Sequence, residues 1–121
     1  FNSEPVLLTY PDNKELKEIL ETTMQSRPEY EFTTTYRDTH FLWNIDDKSI
    51  ISKVESIFSE MNKLYIADGH HRSASSSLLA LDLEKENRNH TGKEAYNFFM
   101  SYLIPESDLK IYEFNRLLHV F

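Results

Sequence analysis

A length of 121 residues suits one domain, and a hydrophobic content of 40% supplies apolar material for one modest core. The formal net charge of -7 opposes non-specific binding to nucleic acid and to anionic membranes. With no cysteine there is no disulfide framework, no thiolate zinc site and no cysteine nucleophile.

The missing cysteines fit a reducing, cytoplasmic setting. No apolar run approaches the roughly 20 residues of a membrane span, and no signal peptide is visible. The chain opens on Phe1 and closes on the apolar Leu117-Leu118-His119-Val120-Phe121. Both ends look cut, which predicts a single domain over 1–121 excised from a longer protein. Nothing in the composition sets an oligomeric state.

Val6 to Thr9 is a short apolar run that predicts a strand, ended by Tyr10-Pro11-Asp12. Asp12 with Glu15 makes a capping-box pattern, and Leu16, Ile19, Leu20 and Met24 follow at helical spacing. From Glu31 to Ile45 the period changes to two, with Arg37-Asp38-Thr39 as the expected turn of a β-hairpin. Its aromatics, Phe32, Tyr36, Phe41 and Trp43, are expected in the core. Asp46 or Asp47 caps a second helix with Ile50, Ile51, Val54, Ile57, Phe58 and Met61 as its stripe.

Leu64 to Ala67 reads as a buried strand broken by Asp68-Gly69. A third helix follows from His70 to about Glu86, with Ala74, Leu78 and Leu81 on one face. Thr91 and Glu94 form another capping box, and Ala95, Phe98, Phe99, Tyr102 and Leu103 predict a fourth helix that Pro105 stops. Leu109 to Phe114 alternates and predicts a final strand. The expected fold class is α+β: a small mixed sheet, a β-hairpin and about four helices.

One constellation carries chemistry. Asp68-Gly69-His70-His71-Arg72 lies where a strand gives way to a helix. The first four amides of a helix lack an internal acceptor, and the aligned peptide dipoles place about half a positive charge there. An anion gains both hydrogen bonds and field at such a point. Gly69 permits a sharp turn and a close approach. Cations in the first turn of a helix cost roughly 0.3–1 kcal/mol each when charged and exposed. The other predicted helices open with acidic or hydroxyl residues, so His70, His71 and Arg72 break a rule kept elsewhere, as functional sites tend to do. A bound phosphate reverses the conflict. Arg72 would clamp it, the Gly69, His70 and His71 amides would cradle it, and Ser73 would add a hydroxyl. His70 or His71 would act as acid or base, and Asp68 would orient a histidine or hold Mg²⁺ brought by a nucleotide. The ordinary alternative is Asp68 as an N-cap with two surface histidines.

Other residues admit plainer readings. His70 and His71 are adjacent on a helix and point about 100° apart, so they do not chelate one metal ion. Asp38 and His40 suit acid–base work, though a turn residue and an exposed imidazole account for them. Asn89-His90-Thr91 matches a glycosylation sequon with nothing else to suggest secretion. Two glycines cannot build a P-loop.

Leu64-Tyr65-Ile66-Ala67-Asp68-Gly69-His70-His71-Arg72 resembles the signature of an uncharacterised conserved bacterial and archaeal family, catalogued as a domain of unknown function. Tyr10-Pro11-Asp12, His40-Phe41-Leu42-Trp43 and Asn97 to Met100 are similar to further landmarks of that family. The resemblance covers nearly the whole chain and implies a longer parent protein. The corner is also similar to the nucleotide-binding turn of the ParB and sulfiredoxin superfamily, which implies nucleotide phosphates as ligand and phosphoryl transfer as reaction class. Departures stand at Ser73 and Ala74, where the family has Tyr and an acidic residue, and at Asn115-Arg116, where it has His-Arg. They favour the alternative, a non-catalytic regulatory or structural interaction module. The ligand expected on either enzyme or sensor reading is a small phosphate-bearing molecule.

Overall fold

Val6, Leu8 and Tyr10 alternate with Leu7 and Thr9 in a β-branched and aromatic-rich run, a pattern that suits a strand buried on both faces. The computed structural model, which describes residues 4–113, places this run as β1 (Val6–Tyr10) at the centre of a three-stranded sheet. β1 pairs antiparallel with β4 (Tyr65–Asp68) and parallel with β5 (Ser101–Pro105), so the sheet is mixed. Val6, Leu8, Tyr10 and Thr9 are buried; Leu7 is partly so.

The described residues fall into two compact units. One holds the β4-β1-β5 sheet together with α3 (His70–Glu86) and a single 3-10 turn at Ala95–Asn97. The other, Asp12–Lys63, holds α1 (Lys14–Met24), the hairpin strands β2 (Tyr30–Thr33) and β3 (Thr39–Leu42), and α2 (Lys48–Glu60). In this second unit Leu16 of α1 and Ile57 of α2 are the buried apolar residues, and Lys53 reaches Glu15 at 2.8 Å. The chain reverses in the hairpin over Thr34–Asp38, with Arg37 at φ 67°.

The fold is mixed α and β with a hairpin, as the periodicities predict, but it has three α-helices among the described residues, not four. The Thr91–Glu94 box does form: Glu94 Oε1 accepts from the Thr91 amide at 2.7 Å, and Thr91 Oγ1 accepts from the Lys93 amide. It leads into one 3-10 turn and no further, because Ser101–Pro105 finds a full parallel ladder on β1. Cooperative pairing on an apolar strand outweighs a marginal local helix. The strand expected at Leu109–Phe114 is likewise absent over 109–113, and Phe114 lies outside the described residues.

Three further expectations change. The α1 cap is Asn13, whose Oδ1 accepts from Leu16 N at 2.9 Å, one residue beyond Asp12. β4 is an edge strand and not a buried one, with Tyr65 54% exposed, and α3 buries no residue, leaving Leu78 and Leu81 at its surface. The hairpin aromatics are not core: Phe32, Tyr36 and Phe41 are exposed. Trp43 instead anchors the hairpin by donating Nε1–H to Ser26 O at 2.9 Å.

Candidate functional site

β4 ends in a register shift. Thr9 pairs with Tyr65 and Leu8 with Ile66, but Leu7 pairs with Asp68, so β4 carries one residue more than β1 here. Such a bulge bends the strand and re-aims the residues beyond it. It brings Asp68 opposite Leu7 where regular pairing would put it opposite Val6. Gly69 comes next at φ 89°, a left-handed conformation that an L side chain adopts only with strain. Gly69 O accepts from Ser73 N at 2.9 Å, closing the first turn of α3.

The start of α3 therefore has no side-chain cap. The amides of His70, His71 and Arg72 precede the first internal acceptor and have no intrahelical bond to make. Asp68, an N-cap on the ordinary alternative reading, does not cap them. Its Oδ2 accepts from Arg72 Nη2 at 2.8 Å. Arg72 Nη1 donates to Glu4 Oε2 at 3.0 Å and to Pro5 O at 2.9 Å. These bonds engage three of the five guanidinium N–H groups. They tie the lead-in to β1, the end of β4 and the first turn of α3 into one knot.

Gly69 has a second reason to lack a side chain. A Cβ there would lie 3.2 Å from Arg72 Nε and Nη2, so the guanidinium passes directly over the glycine. The close approach expected of a ligand is made in the first instance by Arg72. Arg72 is about two-thirds buried, whereas Glu4 and Asp68 are largely exposed. Two carboxylates against one guanidinium leave the knot formally one negative charge in excess while the imidazoles are neutral.

An open recess of about 450 Å³ lies at this corner, lined by Asp68, Gly69, His70, His71 and Arg72. Its size falls within the range of small-molecule sites. The structure thus gathers five of the residues expected from sequence. Ser73 is not among the lining residues, and its amide is spent on the helix. His40 stacks on Phe32 within the hairpin, ring centroids 5.1 Å apart, which is a packing role. Among the described residues no group of three or more His, Asp or Glu side chains is arranged to hold a metal ion. No described helix is long and apolar enough to cross a membrane.

A second polar cluster has no signal in the sequence pattern. His90 Nδ1 lies 2.8 Å from Tyr96 Oη, and Asn87 Nδ2 donates to the same oxygen at 3.0 Å. The Thr91–Glu94 box marks the turn, but a histidine and a tyrosine six residues apart match no periodicity.

Fold and corner together define a small mixed α/β protein with an uncapped helix start at the edge of a sheet. The chain belongs to the family described as Protein of unknown function (DUF1015), whose model matches residues 1–121. No curated protein and no solved structure matches it.

Proposed function

We propose that this domain binds a phosphate-bearing small molecule, a nucleotide or a phosphorylated metabolite, at the start of α3. The observation that carries the reading is the diversion of Asp68. α1 and α2 are capped by Asn13 and Asp47, but the amides of His70, His71 and Arg72 open beside a recess while the nearest carboxylate turns to Arg72. A phosphate accepts from those amides, and the helix dipole favours its charge. His70 and His71, both exposed, add donors when protonated. Arg72 joins by exchanging Glu4 for a phosphate oxygen while keeping its bond to the Pro5 carbonyl.

The dipole supplies only ~0.3–1 kcal/mol of the ~8 kcal/mol that a micromolar ligand needs. Amide hydrogen bonds and contacts to the rest of the ligand must supply the remainder, which favours a nucleotide or sugar phosphate over the bare ion. Mg²⁺ carried by such a ligand commonly takes one or two protein carboxylates along with the phosphates, and Asp68 is the carboxylate lining the recess. Phosphoryl transfer is the reaction class served by such an arrangement, because positioning and charge neutralisation do most of its work.

The test is thermal unfolding of the full chain with inorganic phosphate, ADP or ATP, at pH values on either side of the imidazole range. Stabilisation is expected, larger on the acid side, and larger again in Glu4→Gln, which removes the carboxylate competing for Arg72. Absence of any shift in wild type and Glu4→Gln alike overturns the reading. Turnover of ATP separates an enzyme from a sensing module. The second reading, a structural corner, is favoured by the three internal bonds of Arg72 and by its guanidinium filling the space over Gly69. It predicts that phosphate changes nothing while Arg72→Ala lowers stability.

A further inference from the structure

The β4-β1-β5 sheet has two edges, and they are built differently. β4 follows Lys63 closely, ends in Asp68 and carries the bulge. Charges and bulges are the ordinary means by which a sheet edge discourages another strand from adding to it. β5 has neither, and its one guard is Pro105, its last residue. No charged residue occurs from Ala95 to Pro105. Tyr102 and Leu103 are 64% and 39% exposed, one on each face of the sheet. Among the described residues no further strand joins the sheet beyond β5.

The ladder fixes which backbone groups of β5 look outward. Val6 pairs with Ser101, and its amide donates to Met100 O at 3.0 Å. In the parallel register that follows, Tyr102 and Ile104 turn their N–H and C=O groups to β1, and Ser101 and Leu103 turn theirs away. Pro105 presents its carbonyl on the same outer side and has no N–H. This edge is self-complementary. Antiparallel pairing with a second β5 about a two-fold axis at Leu103 lets the two Leu103 residues exchange a pair of N–H···O bonds. Each Ser101 amide then donates to the partner's Pro105 carbonyl. The missing N–H of Pro105 falls at the end of the pairing and costs only the bond to Ser101 O. The same register sets Tyr102 of each copy opposite the partner's Ile104, an aromatic–β-branched pair of the kind that stabilises sheets.

We propose that β5 is a self-association edge, at which two copies of this chain join β5 to β5, antiparallel about Leu103, into one continuous mixed sheet. The occupant is a second copy because the edge matches itself in hydrogen bonds, in side-chain pairs and in charge. Two chains that each carry a net charge of -7 repel, and an uncharged strand is where they meet at least cost. A strand of five residues makes a small interface, so the association is weak and concentration-dependent. It involves none of the residues at the start of α3, so it stands or falls apart from the phosphate reading.

Sedimentation equilibrium of the full chain, from micromolar to millimolar protein, tests it. The mass should climb from the 14.4 kDa of the monomer toward twice that value. Leu103→Lys sets two like charges across the axis, and Tyr102→Lys removes both aromatic pairs. Each should raise the concentration needed for association by roughly tenfold, with the circular dichroism of the monomer unchanged. A monomer mass at every concentration overturns the proposal, and so does a dimer that both substitutions leave intact, since it would lie on another surface. If Leu103→Lys fails to fold, Tyr102→Lys decides alone at the more exposed position. Cross-linking reads the register, because the chain has no cysteine of its own. Equimolar Tyr102→Cys and Ile104→Cys, oxidised together with glutathione disulfide, should link chiefly to each other. A statistical mixture of like and unlike pairs overturns the pairing about Leu103.

Discussion

α2 and α3 each begin just after an aspartate, and the two aspartates do opposite things. Asp47 is the N-cap of α2, and its Oδ1 accepts from the Ser49 amide at 2.7 Å and the Ile50 amide at 3.2 Å. Asp68 precedes α3 by one residue more, with Gly69 between, and its carboxylate goes to Arg72. The left-handed Gly69 makes the difference: as cap residue it has no side chain, and it sets Asp68 where an arginine four positions on can capture it. One helix start is closed by its own chain, and the other is left with open amides beside a recess. A cap stabilises locally, whereas the Asp68–Arg72–Glu4 knot trades that cap for a link between β1, β4 and α3.

The largest expected effect comes from breaking the knot at its narrowest point. Gly69→Ala meets two penalties, the left-handed backbone and a methyl 3.2 Å from the Arg72 guanidinium. Strain of this kind costs about 1–3 kcal/mol, and urea unfolding should show a loss in that range. Gly92 offers the control, since its φ is 83° but a Cβ there meets nothing within 4 Å. Gly92→Ala should cost less, and the difference between the two variants isolates the contact with Arg72.

Next in size is Arg72→Ala. It removes two ion pairs and the bond to the Pro5 carbonyl, with carboxylate partners that stay largely exposed. Exposed pairs contribute little, roughly 0–1 kcal/mol, and a net hydrogen bond ~1 kcal/mol, so a loss of about 1–2 kcal/mol in chemical denaturation is expected. Arg72→Lys should recover only part of it, because a single ammonium cannot reach three oxygens in the planar fork that Arg72 uses. Full recovery by lysine would mean that charge alone holds the knot.

Much of this architecture is legible in the amino-acid pattern. A short apolar run marks β1, period-two alternation the hairpin and helical spacing all three helices, and the strand-to-helix corner stands out because cationic residues open a helix. The expectations that fail share one cause. The fourth helix, the buried character of β4 and the core hairpin aromatics rest on apolar residues that pack wherever the tertiary structure offers a surface. Tyr102, Leu103 and their neighbours fit a helical stripe and a strand almost equally, and the choice is made by β1, some 90 residues away in the chain. The partner of Arg72 is also out of reach, since neither the Glu4 contact nor the left-handed turn that frees Asp68 has a local pattern. The His90 cluster is hidden for the same reason.

The smallest effect, and the one that bears most directly on the two aspartates, is the acid limb of stability. Asp47 is held below the ordinary carboxylate range, first by the Ser49 hydroxyl, then by the Ser49 and Ile50 amides. A carboxyl whose folded value is depressed binds protons more weakly folded than unfolded. Its contribution is therefore complete above the ordinary carboxylate range and is lost as pH falls through the depressed value. Asp47→Asn keeps a side-chain acceptor for the cap but has no proton to bind, so its stability should fall less steeply than wild type as the solution is acidified below about pH 4. Denaturant midpoints collected from neutral to strongly acid pH read this directly. Parallel curves for the two proteins would show that the cap works through its geometry alone, and the contrast with Asp68 would then lie in where the carboxylate points and not in its charge.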